Sequence, residues 1–116
     1  MDIDSYDAGD AVEVLEGIHL AQLVAGDRAS VQHFRIEPRA IVDTHSHEHE
    51  QLGFMNRGEL VFTIDGEEQI VGPNDSYVIP ADEPHAAENR SDDVANGIEV
   101  FVPPREIPPW VEGGET

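Results

Sequence analysis

Residues 45–58 read His-Ser-His-Glu-His-Glu-Gln-Leu-Gly-Phe-Met-Asn-Arg-Gly, and residues 80–85 read Pro-Ala-Asp-Glu-Pro-His. His45 and His47 are two apart, a spacing that puts both imidazoles on one face of a β-strand. Gln51 has the same parity and can share that face. His85 arrives from a distant segment and can supply a third nitrogen. Three imidazoles and an amide oxygen suit a divalent transition metal.

Outward from this stretch, short β-patterned runs recur between Gly, Pro, Asn and Asp. They are Val12–Leu15, Ile18–Ala25, Ser30–Ile36, 51–56, 59–65, Glu67–Val71, Ser76–Ile79, His85–Glu88 and Ala95–Val102. No segment carries a helical pattern. Asp65-Gly66 is a two-residue hairpin signal, because both central positions of a type I′ turn need positive φ. Asn56-Arg57-Gly58 and Gly72-Pro73-Asn74-Asp75 read as further turns. Many short antiparallel strands without helices imply a sandwich or a barrel, and a barrel leaves no open edges.

The 116 residues make one domain. We expect a flexible acidic lead over 1–10, a β-domain over 11–105 and a Pro-rich tail over 106–116 that covers the barrel or a partner, with Trp110 in it. There is no apolar run long enough to span a membrane as a helix. The start, MDIDSYDAGD, does not resemble a signal peptide, so a cytoplasmic location is expected. Cysteine is absent, which leaves His, Asp, Glu and Gln as ligands.

Asp and Glu number 25 against 6 basic residues, all arginine, for a net charge of −19. Nucleic acid is not expected as a partner, since phosphate binding needs a positive surface. Such acidity resembles proteins of salt-rich cytoplasm, where about 1 M salt shrinks the Debye length to roughly 3 Å and screens self-repulsion. Stability should then fall on dilution into low salt.

The two histidine stretches together resemble the cupin superfamily. Its first motif is G, five residues, H-x-H, three or four residues, E, six residues, G; here stand Arg39, His45, His47, Gln51 and Gly58 at that spacing. Its second is G, five residues, P-x-G, two residues, H, three residues, N; here stand Asn74, Pro80, Asp82, His85 and Asn89. The departures are Arg39, Asn74 and Asp82 for Gly, and Gln51 for Glu. Asn and Asp tolerate left-handed turns. The resemblance spans roughly residues 30–105 and implies a double-stranded β-helix, the jelly-roll cupin barrel, with a metal inside.

Farther on, Glu99-Val100-Phe101-Val102-Pro103-Pro104-Arg105 resembles the ending D-x-F-x-P-P-R of the small cupins of pectin degradation, which ketonise unsaturated uronates. Those carry Gln as the fourth ligand. The resemblance implies His45, His47, Gln51 and His85 as ligands of one divalent metal: zinc, nickel, iron, cobalt or manganese. It implies Glu99 as the proton-moving carboxylate, one methylene longer than the family's Asp, and Arg105 with Phe101 as substrate-binding residues. Competing readings are a solvated strand carboxylate for Glu99, a core position for Phe101 and a tail anchor for Arg105. A neutral His₃Gln shell leaves the metal its full charge, which favours Lewis acidity toward a small anionic or oxygen-rich substrate.

His49 reads as a neighbour of the ligands or as solvent-exposed, and His19 and His33 as half-buried strand residues. Small cupins are often dimers through the open barrel end and early strands, so a homodimer is expected. A metal-dependent dioxygenase, a non-enzymatic sugar- or small-molecule-binding module and a metal-free barrel remain the alternatives. Metal identity, oxygen consumption and turnover separate them.

Overall fold

The structure, a computed structural model, describes residues 1–105. The expected tail and Trp110 lie outside the described residues. A single 3₁₀ turn, Ala8–Asp10, is capped by the Asp7 carboxylate. Ten strands follow: β1 Val12–Leu15, β2 Ile18–Ala25, β3 Ser30–Ile36, β4 Ile41–His45, β5 Glu50–Arg57, β6 Leu60–Ile64, β7 Glu67–Val71, β8 Ser76–Ile79, β9 His85–Glu88 and β10 Ala95–Val102. They form two sheets, β1-β2-β3-β10-β5-β8 and β4-β9-β6-β7. Every pairing is antiparallel. This is the jelly roll that the two motifs imply, and no described helix is long and apolar enough to cross a membrane.

The sheets face each other over Ile18, Phe34, Ile36, Met55, Leu60, Phe62, Val71, Ile79, Ala87 and Ala95. Each fully buried large apolar side chain contributes roughly 1.5–3 kcal/mol relative to exposure. Strand alternation sorts the interior into two ends. Along β3 the inward positions run Ser30, Gln32, Phe34, Ile36; along β10 they run Ala95, Gly97, Glu99, Phe101. Glu99 is the register partner of both Gln32 and Gly53, and Phe101 that of Gln51. The polar interior residues are thereby gathered at one end of the larger sheet.

Three positions that the family pattern gives to Gly hold other residues here, and all three take left-handed backbone: Arg39 (φ 72), Asn74 (φ 72) and Asp82 (φ 64). The pattern's turns are kept, with Arg39 in the conformation least suited to its side chain. Gly58 keeps its φ of 80, and a Cβ there would meet the Val94 carbonyl oxygen at 2.5 Å. Asn89 is fully buried. Its amide donates to the carbonyls of Ile36 and Asp93, and its oxygen accepts from the Ser91 amide and hydroxyl. Asn89 thus ties β9 to the end of β3.

One strand was not expected, β4. Its burial shows no inward–outward alternation, and pairing with β9 holds it. The strand also ends at His45, so His47 is not on it as its spacing suggested; His47 stands in the short connection to β5. In the acidic lead, the Tyr6 ring stacks on His33 with centroids 3.7 Å apart.

Candidate metal centre and cavity

Pairing brings the first two imidazoles together. His45 and His85 are register partners across β4 and β9, and their ring centroids are 4.4 Å apart. His47 approaches from the loop, 5.6 Å from His45 and 5.1 Å from His85. One nitrogen from each ring lies within 4.8 Å of the other two. Gln51, buried at the start of β5, sets its Oε1 3.0 Å from His47 Nε2.

Each ring is oriented by a nearby backbone carbonyl. Nδ1 of His45 meets the carbonyl of Asp43, Nδ1 of His47 that of His49, and Nδ1 of His85 that of Glu83, at 2.9, 3.0 and 2.8 Å. A carbonyl only accepts, so each Nδ1 carries the proton and each Nε2 keeps its lone pair. Carbonyl orientation of this kind is the usual outer support of metal-binding imidazoles. His85 Nε2 is buried without a hydrogen-bond partner. His47 Nε2 and Gln51 Oε1 then face each other as two lone pairs, a contact that a cation between them makes favourable. The donor set thus fits a divalent transition metal of the zinc-to-manganese group.

Burial lowers the pKa of His85 to about 4. Burial, and secondly the Arg105 charge, lowers that of His47. Both shifts favour the neutral ring that ligation requires.

Beside this cluster lies a cavity of about 70 Å³ that opens to solvent. One wall is polar, formed by Gln32, His45, Gln51, His85, Glu99 and Arg105. The other is apolar, with Leu20, Phe34, Leu60 and Phe62 among its residues. Glu99 is buried, and its Oε2 accepts from Gln51 Nε2 and from the Tyr77 hydroxyl, both at 2.6 Å. Burial raises its pKa, against the opposing pull of the Tyr77 bond, Arg105 and Gln51. Arg105 is buried too. Its backbone N–H donates to the Ser30 hydroxyl, which donates to its carbonyl. Burial lowers its pKa to about 10, countered by Glu99, so it stays charged at neutral pH.

Six of the seven residues singled out from sequence converge: His45, His47, Gln51, His85, Glu99 and Arg105. Phe101 is fully buried and is not on the cavity wall. It lies under Arg105, with the rings of His47 and His49 edge-on at 5.9 and 6.1 Å. His49 stays outside the triad, and His19 pairs with Glu37 away from it. Sequence reasoning missed Tyr77, Gln32 and Ser30. For Tyr77 the signal was faint: an aromatic at an inward position of β8, opposite a glycine.

The sequence profile described as "Cupin domain" matches residues 32–101. Among solved structures, KdgF from Halomonas sp. is 24% identical, with a TM-score of 0.81 over 90% of this chain and 96% of that one. The polyketide cyclase RemF from Streptomyces resistomycificus is 20% identical, with a TM-score of 0.77 over 92% and 83%. An RmlC-like cupin from Shewanella frigidimarina is 21% identical, with a TM-score of 0.69 over 90% and 86%. These likenesses establish a shared barrel. No curated protein matches the sequence.

Proposed function

The chain belongs to the cupin domain family, and we propose that this member is a metal-dependent enzyme that opens and ketonises a 4,5-unsaturated uronate. One observation carries the reading: a buried arginine and a buried carboxylate of raised pKa line the same cavity as His45 and His85 of the convergent histidine triad. His45, His47, His85 and Gln51 would hold one divalent metal, which supplies Lewis acidity toward a substrate oxygen. The KdgF structure from Halomonas shares the barrel, and the Glu99-x-Phe101-x-Pro103-Pro104-Arg105 ending adds the sequence pattern.

Arg105 pairs with the substrate carboxylate through its planar fork. Glu99 is the group that moves the proton. The anomeric hydroxyl gives its proton to Glu99 as the aldehyde forms and the bond to the ring oxygen breaks; that oxygen keeps the electron pair and takes the proton to become the enol. The enol proton leaves and carbon 4 gains one, giving the linear keto acid. Both bonds from the protein fall on Glu99 Oε2, so Oε1 is the oxygen that exchanges the proton. Such help is worth about 10²–10⁴-fold. The apolar wall keeps bulk water from the reacting carbons.

That same wall supports a second reading, a module that binds a small acid with an apolar body without turning it over. An unsaturated monouronate, followed by loss of its conjugated ultraviolet absorbance in molar salt, separates the two. A chelator-sensitive rate that is lost in Arg105→Ala supports the enzyme; a rate no faster than the spontaneous one removes it. We further propose that the chain works in high salt and pairs as a homodimer through the outer face of the larger sheet.

A further inference from the structure

Gln51 is the one amide in the proposed ligand set, and an amide can turn either end to a metal. Here the choice is made one residue away. Gln51 and Glu99 meet across β5 and β10, with Nε2 2.6 Å from the carboxylate. Turning the amide over would set its oxygen against that carboxylate. It would gain only a neutral bond from the amide to His47 Nε2. Glu99 Oε2 accepts here from two donors, and the turned amide would face it acceptor to acceptor, so the carboxylate decides.

Glu99 is itself held. The Tyr77 hydroxyl donates to the same Oε2 at 2.6 Å. Tyr77 reaches it by lying across Gly53, its register partner on β5. A Cβ at Gly53 would stand 2.1 Å from Tyr77 Cζ and 2.3 Å from its hydroxyl oxygen. Glu99 is the other register partner of Gly53. The missing side chain is the slot through which tyrosine and glutamate meet.

We infer that Glu99, held by Tyr77 in the slot left by Gly53, orients the Gln51 amide so that its oxygen faces the three imidazoles. The inference rests on the proposed metal reading. It also gives a reason for Gln at a position where the family pattern has Glu: a carboxylate at 51 would stand against the carboxylate of Glu99. The negative charge has been moved one residue back from the metal. Tyr77 and Glu99 are in this respect positioning residues for the metal ligand.

Zinc affinity, measured by competition with a chromophoric chelator in molar salt, tests this without any substrate. Glu99→Gln should weaken zinc binding about 10–100-fold, the usual cost of losing an outer partner. Tyr77→Phe and Gly53→Ala should weaken it in the same direction. A general loss of negative charge would also weaken binding, so the deciding measurement is a double-mutant cycle. In a Gln51→Ala background, Glu99→Gln should cost no further affinity, and the exchange Gln51→Glu with Glu99→Gln should recover most of it. Circular dichroism checks that each variant folds; if Gly53→Ala does not, the cycle still decides. Equal zinc affinity in wild type, Glu99→Gln and Tyr77→Phe would overturn the inference and leave the metal reading standing. So would an undiminished Glu99→Gln cost in Gln51→Ala. A wild-type protein that takes up no stoichiometric zinc would remove both.

Discussion

The guanidinium carbon of Arg105 lies 3.8 Å from the centroid of the Phe101 ring. The aromatic face attracts the cation, by about 2 kcal/mol when both are out of water, and fixes the fork before any substrate arrives. On the proposed function, Phe101 would serve binding by holding Arg105. Arg105→Lys keeps the charge but loses both fork and stack, and should raise KM for a carboxylate substrate at least about tenfold, or 1.4 kcal/mol. Phe101→Leu should raise KM in the same direction with metal uptake intact. Steady-state kinetics on metal-loaded protein measures both; an unchanged KM in Arg105→Lys would show that Arg105 does not hold the substrate.

The motifs told where the chemistry lies, and local pattern told less about how the residues reach it. His45 and His47 look like one strand face by spacing, yet β4 ends at His45 and the loop returns His47 to the cluster. β4 itself escaped because Ile41-Val42-Asp43-Thr44-His45 lacks alternation; its order comes from β9, a long-range pairing invisible to local periodicity. Asn74 and Asp82 were readable as left-handed turns, whereas Arg39 shares that backbone without any cue from its own chemistry. Tyr77 left only a faint trace, since its role depends on a register partner, Gly53, twenty-four residues earlier.

Acid should destabilise the metal-free protein through His85. Its pKa is about 4 in the fold against 6.5 for a free imidazole side chain, so the unfolded chain binds more protons between those values. Stability is therefore complete above about pH 6.5, falls as pH drops through the window and levels off below about 4. Acidification also relieves carboxylate repulsion, so the effect is read as the difference between wild type and His85→Gln in molar salt. Wild type should lose more stability than the variant from pH 7 to pH 4 in chemical denaturation. Parallel curves would show that His85 is not buried as a neutral ring.

Salt should stabilise the fold. The net charge is −19, and Arg39, Arg57 and Arg90 already sit in exposed ion pairs with Asp92, Asp93, Glu68 and Glu88. Salt weakens those pairs, each worth little at the surface, while screening a far larger set of carboxylate repulsions. Raising salt from about 0.1 M to above 1 M should lift Tm by at least about 4 °C, the shift that roughly 1 kcal/mol produces in a domain of this size. A Tm that is flat or falls with salt would mean the acidic surface is not an adaptation to it.

The outer face of the larger sheet is where a second copy should dock. Strand register sets Val31, Val100, Leu52 and Val78 in one row across β3, β10, β5 and β8, and His33, Ile98, Phe54 and Ser76 in the next. Leu52, Phe54 and Ile98 are each 41% exposed and Val78 54%. None of the eight is a carboxylate, in a chain with 25 acidic residues among 116. The smaller sheet is different: Ile41 and Ile70 are exposed there, but among Glu68, Glu88 and Arg90 joined in ion pairs. Two chains of strong like charge can approach closely only where each is uncharged, and a self-complementary apolar face meets that condition in a two-fold pair. Light scattering in molar salt should give twice 12.8 kDa. The double substitution Leu52→Glu with Phe54→Glu should return the monomer with its barrel intact, since both side chains point away from the core. A monomeric wild type, or a dimer that survives both charges, would place the partner elsewhere or remove it.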